Sequence, residues 1–440
     1  MHMFNCPLEQ TAKSSPSKLF IQGDQSFTYQ AFNNYVYQVS KSLDSFNNNQ
    51  VIVVLVKDPL FTIALLIACL RKGLIFFPLS PRLPENEIHK RLKETSASLF
   101  FDQPIIYDVN GVQAIYEKNS YNLNLKGSYL LTSGSSNQPK ICVHSIKNHY
   151  YSALGSNEHL PYNEDDSWYL TLPLFHVGGL GIIFRTLLAK ASITLSSKKI
   201  EEALSIYPIT HLSLVTTQLT RLIQKKIPLK SLKVILVGGG PIPPSLIASA
   251  IEKKLPIYKT YGLTEMGSQV LTTSQMGPLT LLPYREIKLD EESQICVKGE
   301  TLFMGYLENG VLNRSLNKEG WFETRDLGTY NKNGFELTGR RDNQFISGGE
   351  NIQPEEIEKV LVSHSNVIEA IVVPFYDPLY GNVPVAFIKT TTPLSLDLIT
   401  EYLENYLPRF KIPKKILPLS YSSLKPSRKL LSEMLKVKLS

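Results

Sequence analysis

An α/β fold is predicted, in which strands and helices alternate over most of the chain before short antiparallel strands and a compact α+β section follow. Three observations predict it. From residue 51 short β-branched runs alternate with longer helical patterns; after Gly262 the texture changes to short strands separated by turn residues; and from about Asn343 the order is helix, strand, strand, helix.

The elements follow in order. Val51–Val56 reads as a strand, Leu60–Leu70 as a buried helix bounded by Asp58 and Arg71, Ile75–Phe77 as a second strand and Glu85–Leu92 as a polar helix. The rhythm resumes at Ser128–Leu131, Trp168–Thr171, Ser192–Leu195, His211–Val215, Val234–Val237 and Ile257–Lys259, each separated by a segment of helix-forming composition. Parallel sheets are expected, with sites at the C-terminal ends of their strands. Glu286–Leu289, Gln294–Lys298, Gly320–Glu323 and Gly334–Thr338 then predict an antiparallel or barrel-like module. The last section comprises a helix at Pro354–Val362, strands at Ile368–Val373 and Val383–Ile388, and a helix at Leu396–Tyr406. A domain boundary is expected near Arg341 and Asp342, dividing the chain into 1–341 and 342–440.

Composition narrows the function. With 440 residues, 43% apolar and 19% charged, the chain has material for several buried cores and lacks the bias of a disordered one. Its net charge of +7 comes from scattered basic residues with no tract of five or more, which suits anionic small molecules better than a nucleic-acid backbone. Cys6, Cys69, Cys142 and Cys296 lie far apart without CxxC spacing, so neither a zinc site nor a disulfide framework is indicated, and a reducing cytoplasm is expected. The run Leu60–Leu70 is well short of the roughly 20 residues that span a bilayer. Met1–Gln10 has no basic segment followed by an apolar one, so no secretory signal is expected. Oligomeric state is left open, a homo-oligomer included.

Four segments are suited to chemistry. Thr132-Ser133-Gly134-Ser135-Ser136-Asn137-Gln138-Pro139-Lys140 is hydroxyl-rich and closed by a lysine, so backbone N–H groups and hydroxyls can wrap a phosphate while the ammonium offsets its charge. A Ser/Gly-rich hairpin turn has the same composition. Tyr261-Gly262-Leu263-Thr264-Glu265 follows the predicted strand Ile257–Lys259, where a carboxylate and a hydroxyl suit Mg²⁺ and a phosphate oxygen, and a tyrosine ring suits stacking on a base. An ordinary strand exit with a surface glutamate is the alternative. In Gly320–Asp326 and Gly339–Asn343, Asp326 suits two vicinal hydroxyls of a ribose and Arg340 a further donor; singly, each is more often a solvated turn residue.

Taken in order, together with Gly348-Gly349-Glu350-Asn351-Ile352-Gln353-Pro354-Glu355-Glu356-Ile357-Glu358, these segments resemble the adenylate-forming superfamily of acyl-CoA synthetases, luciferases and carrier-protein adenylation domains. The resemblance implies a large N-terminal domain of two doubly wound sheets plus a distorted β-barrel, and a small mobile α+β C-terminal domain. It implies ATP, Mg²⁺ and CoA: carboxylate and MgATP give acyl-adenylate and pyrophosphate, then a thiol displaces AMP. By resemblance, Thr132, Ser133, Gly134, Ser135, Ser136 and Lys140 bind the ATP phosphates, Thr264 contacts the phosphate next to the adenosine, and Glu265 holds Mg²⁺. Gly238, Gly239, Gly240 and Pro241, with Tyr261 and Gly262, flank the adenine; Asp326 and Arg340 hold the ribose; Asp342 is the hinge. The catalytic lysine matches Lys429 in Pro426-Ser427-Arg428-Lys429, with Lys425 as the alternative, since Arg428 stands where a glycine and Ser432 where an arginine are usual.

Within the superfamily the chain is most similar to the o-succinylbenzoate-CoA ligases of menaquinone biosynthesis, in Leu172–Leu180, Thr210–Leu222 and Arg341–Glu350. That acid has two carboxylates, only one of which is activated, so the other needs a partner inside an apolar pocket. Arg221 is the sequence candidate, with Thr280, and His176 as a lining residue; an exposed helical arginine and a core histidine are the plainer readings. Loading of a carrier protein, and nucleotide binding without turnover, are the rival functions.

Overall fold

The computed structural model of the protein describes residues 3–105, 120–132, 139–225, 231–240, 242–275, 277–332, 334–420 and 427–439. The chain divides into two compact units, one made of Met1–Gly240, Leu255–Ile287 and Val297–Phe322, the other of Pro241–Lys254, Lys288–Cys296 and Glu323–Ser440.

Two large sheets organise the first unit. In one, seven strands run in the order Val311–Asn313, Gly305–Glu308, Ile141–Ser145, Lys126–Leu131, Ile75–Leu79, Val51–Leu55, Leu99–Phe101, the last four mutually parallel. In the other, nine strands include a parallel set of Ile257–Leu263, Val234–Gly238, His211–Val215, Ser167–Tyr169, Ser192–Leu195 and Leu19–Gly23. The predicted βαβ rhythm therefore gives parallel sets of strands, because a crossover helix carries the chain back to the end at which the preceding strand began, and antiparallel strands are added at their margins.

The expected buried helix spans Pro59–Lys72. Asp58 caps it by accepting from the Phe61 N–H at 2.7 Å, Pro59 tolerates the missing donor of the first turn, and Gly73 ends it with φ +64°. Phe61 to Leu70 are all buried, the larger side chains each contributing about 1.5 to 3 kcal/mol of transfer free energy. Among the described residues, no helix is long and apolar enough to cross a membrane.

The second unit contains the antiparallel hairpin Phe322–Asn331 with Gly334–Arg340, within which Asp326 pairs with Arg340. Its α+β part has a mixed sheet in which Gly381–Thr390 pairs antiparallel with Val367–Asp377 and parallel with Lys415–Pro418. The helices Pro354–Ser363 and Leu396–Glu404 bury Ile357, Leu361, Ile399 and Leu403 in a core with Val372 and Ala386. The helix Arg428–Leu439 contributes Leu431 and Leu435 to a second core, with Val373 and Val385.

Candidate functional site

The strand beginning at Ile257 does not stop at Lys259 as expected. It continues to Leu263 because its second half pairs antiparallel with Ser268–Thr273, so Tyr261 lies within the strand and is buried. The hairpin shifts register between Tyr261 and Gly262, where a Cβ on Gly262 would lie 1.9 Å from the Ser268 carbonyl oxygen. Glycine is required there by backbone approach. The hairpin's connection is the 3₁₀ turn Thr264–Met266, ended by Gly267 at φ +64°.

Three contacts that sequence reading did not anticipate hold this turn. His144 Nε2 donates to the Thr264 carbonyl at 2.7 Å. Burial lowers the pKa of His144 to about 4, so the ring is neutral near pH 7 and the carbonyl acceptor places its proton on Nε2. The Tyr306 hydroxyl donates to Glu265 Oε1 at 2.6 Å, and the Phe303 N–H donates to the Glu265 carbonyl at 2.7 Å.

Tyr306 also connects this turn to the hydroxyl-rich loop. Lys140 Nζ lies 4.7 Å from the Tyr306 ring centroid and 3.3 Å from Glu308 Oε1, while the Thr132 N–H donates to the Lys140 carbonyl at 2.9 Å. Thus neighbouring strands of the seven-stranded sheet bring Thr132 and Lys140 to Tyr306, and Tyr306 reaches Glu265 on the turn of a hairpin in the nine-stranded sheet. Ser133, Gly134, Ser135 and Ser136 lie outside the described residues, as does Pro241. Gly238 ends the strand Val234–Gly238, one residue beyond the expected Val237, and Gly239 and Gly240 follow it; Gly239 has φ +80°, and a Cβ on Gly238 would meet Thr260 Cγ2 at 2.6 Å.

The acyl candidates have a different setting. His176 caps the helix Val177–Ala189 and is exposed, with its ring 4.7 Å from that of Phe175. Arg221, in the last turn of Thr216–Ile223, is exposed, and so is Thr280. Exposure removes the reason for choosing Arg221: an arginine surrounded by water does not supply a counter-charge within an apolar wall. The buried cation is Arg185, on the helix that His176 caps. It is 1% exposed, its guanidinium carbon lies 5.1 Å from the Trp168 ring, and Nη2 is 3.4 Å from Ser268 Oγ. Among the described residues no carboxylate pairs with it and Nε has no partner. Burial lowers its pKa to about 10. Nearby Arg285 is also buried, but donates to the carbonyls of Gln269, Pro283 and Ser152. The sequence signal for Arg185 was a lone charge in the run Leu180–Leu188, which is apolar apart from Arg185 and Thr186.

In the second unit the ribose and hinge candidates form one ionic network. Arg340 donates to Asp326 Oδ1 at 2.8 Å and lies 3.5 Å from Asp342 Oδ2, while Arg325 lies 3.1 Å from Asp342 Oδ1. Lys429 stands in the first turn of Arg428–Leu439, 56% exposed and 3.6 Å from Glu433. Lys425 lies outside the described residues.

With this geometry in view, comparisons with known proteins agree on one group. A family model described as AMP-binding enzyme matches residues 8–122 and 128–307, and one described as AMP-binding enzyme C-terminal domain matches 356–429. The chain is 30% identical over 450 residues to a 2-succinylbenzoate–CoA ligase of Bacillus licheniformis, covering 92% of this chain and 94% of that one. It is 39% identical over 314 residues to the Escherichia coli K12 protein of the same name, covering 70% and 68%. Among solved structures, o-succinylbenzoate CoA synthetase from Bacillus subtilis in complex with its acyl-adenylate intermediate superposes with TM-score 0.86 at 28% identity, over 99% of each chain. The same enzyme with ATP and magnesium ion gives TM-score 0.85 at 28% identity, over 99% of this chain and 100% of that one.

Proposed function

Because the chain belongs to the AMP-binding enzyme family, we propose that it is an AMP-forming ligase that joins 2-succinylbenzoate to coenzyme A through an acyl-adenylate. A carboxylate oxygen of the acid attacks the α-phosphorus of ATP and pyrophosphate leaves; the thiol sulfur of CoA then attacks the acyl carbon, AMP leaves with the bonding pair, and the thiol proton passes to solvent. The observation that carries this reading is the meeting, at Tyr306, of Lys140 and the Thr264–Glu265 turn.

Each residue has a task set by its setting. Lys140 and the Thr132–Lys140 loop bind the β- and γ-phosphates. The Thr264 hydroxyl takes an α-phosphate oxygen while His144 secures its carbonyl. Glu265 is a single carboxylate, and no cluster of three metal-ligating residues occurs among the described residues. This fits Mg²⁺, which binds through one or two carboxylates and completes its shell with phosphate oxygens and water. When bound, it supplies positive charge to the phosphates. Tyr261 and Gly238–Gly240 flank the adenine, and Asp326 accepts from the ribose hydroxyls. Lys429 neutralises charge where carboxylate and α-phosphate meet. Asp342 is the hinge between an ATP- and acyl-binding part, 1–341, and a part carrying Lys429, 342–440.

The carboxylate that does not react takes Arg185 as its partner. A buried guanidinium with no carboxylate beside it is destabilising until an anion arrives, and its planar fork fits a carboxylate. Arg185 and the Thr264–Glu265 turn share a hairpin, through Ser268. All four cysteines are free, which suits the cytoplasm, where ATP and CoA are available.

With 2-succinylbenzoate, ATP, Mg²⁺ and CoA, the protein should release AMP and form the thioester, and benzoate or medium-chain fatty acids should serve poorly. Faster turnover of a medium-chain fatty acid refutes the acid assignment. AMP release that CoA does not accelerate points instead to loading of a carrier protein.

A further inference from the structure

The arginine that stands in place of the usual glycine before Lys429 is built into the second unit. Arg428 Nη1 bonds Glu358 Oε1 and donates to the Val372 carbonyl at 2.9 Å; Nη2 donates to Glu355 Oε1 and Glu358 Oε2, both at 2.9 Å. Glu355 and Glu358 belong to Pro354–Ser363, and Glu358 also accepts from the Val372 N–H at 2.6 Å. Desolvation opposes the Arg428 charge, but the two carboxylates outweigh it and raise its pKa.

The placement is otherwise unfavourable. Arg428 and Lys429 are the first two residues of a helix, where the backbone dipole repels cations. Ser427 secures the turn only by accepting from the Leu430 and Leu431 N–H groups, at 3.2 and 3.1 Å. Without Arg428, two carboxylates would face one another and the turn that carries Lys429 would keep only its apolar contact through Leu431, losing its polar tie to the neighbouring helix and strand. Glu355 also accepts from Asn343, so the residue that follows the hinge candidate Asp342 and the lysine-bearing turn share a carboxylate.

We propose that Arg428 is a positioning residue for adenylation: its fork, clamped by Glu355, Glu358 and the Val372 carbonyl, holds the first turn of the C-terminal helix and with it the Lys429 ammonium. This rests on Lys429 being the catalytic lysine. A misplacement of about 1 Å is enough to cost roughly a hundredfold in rate.

The test measures the two half-reactions separately on the full chain: pyrophosphate release from acid and ATP, and thioester formation from added acyl-adenylate and CoA. Arg428→Gly should lower adenylation by about a hundredfold, with KM for ATP and acid unchanged and thioester formation kept. Arg428→Lys retains a charge between the carboxylates but not the fork, and should fall in between. Should the glycine variant not fold, the lysine variant decides by the same split. Wild-type adenylation in both variants, or both half-reactions falling together as a loss of folded protein would make them, overturns the proposal. Lys429→Ala serves as the reference: adenylation that survives it overturns the lysine assignment, and the inference with it, whereas adenylation lost there but intact in both Arg428 variants overturns the inference alone.

Discussion

Arg185 brings a positive charge into the first unit with no carboxylate to meet it among the described residues, and that imbalance is itself a prediction. Replacing a buried, uncompensated charge by an apolar residue of similar length is neutral or stabilising. Arg185→Met should therefore keep or raise the melting temperature, yet raise KM for the acid about a hundredfold, in line with removing one partner of a desolvated ion pair. A drop in melting temperature with no change in KM would mark Arg185 as structural. Lys429 makes the opposite case, since it is half exposed and its loss should leave stability unchanged. In the role proposed for it, its charge is needed only where two anions meet. Lys429→Ala should cost adenylation about 3 to 4 kcal/mol, a few hundredfold or more, while thioester formation from supplied acyl-adenylate persists. Equal damage to both halves would assign the task to another residue.

At the scale of elements, two strands and a turn meet at Tyr306. The hydroxyl of Tyr306 binds Glu265, its ring lies under Lys140, and its strand Gly305–Glu308 pairs with Ile141–Ser145. Tyr306→Phe keeps the ring and removes one hydrogen bond to a carboxylate, worth about 1.5 to 3 kcal/mol. The expected result is a rise of roughly tenfold or more in the Mg²⁺ concentration needed for half-maximal rate, with KM for the acid little changed; a rise in the acid KM alone would show that Glu265 does not depend on Tyr306. Elements were legible where local signals agreed with packing. Pro59–Lys72 has its cap, its apolar run and its terminal glycine in sequence. The strand from Ile257 was read four residues short because its extension depends on a partner strand that periodicity does not reveal. Likewise, the strand expected at Gly320–Glu323 forms at Phe322–Asn331, in register with Gly334–Arg340.

Across the whole molecule, buried histidines contribute to the response to acid. Burial lowers the pKa of His144 and of His211 to about 4 and that of His149 well below its ordinary value of 6.5. Between pH 6.5 and 4 the unfolded chain binds protons that the folded chain refuses, so stability is full above that window and falls as pH drops through it. One such group contributes roughly 3 kcal/mol over the window. Urea midpoints should fall from pH 7 to pH 4, and His144→Gln, which keeps a donor for the Thr264 carbonyl, should make the fall shallower; an unchanged slope would show that His144 does not titrate this way.

By itself the sequence determined the alternation that makes parallel strands, the α+β character of the C-terminal part, and the candidate segments Thr132–Lys140 and Tyr261–Glu265. Each of these is written in neighbouring residues whose spacing the backbone preserves. Only the tertiary structure decided that Glu265 and Lys140 share Tyr306, that His144 secures Thr264, that Arg185 rather than Arg221 is the buried cation, and that Arg428 is clamped by Glu355 and Glu358. Those contacts join residues dozens to more than a hundred positions apart. Their strength comes from exclusion of water, a property of the packed molecule that no local stretch of chain contains.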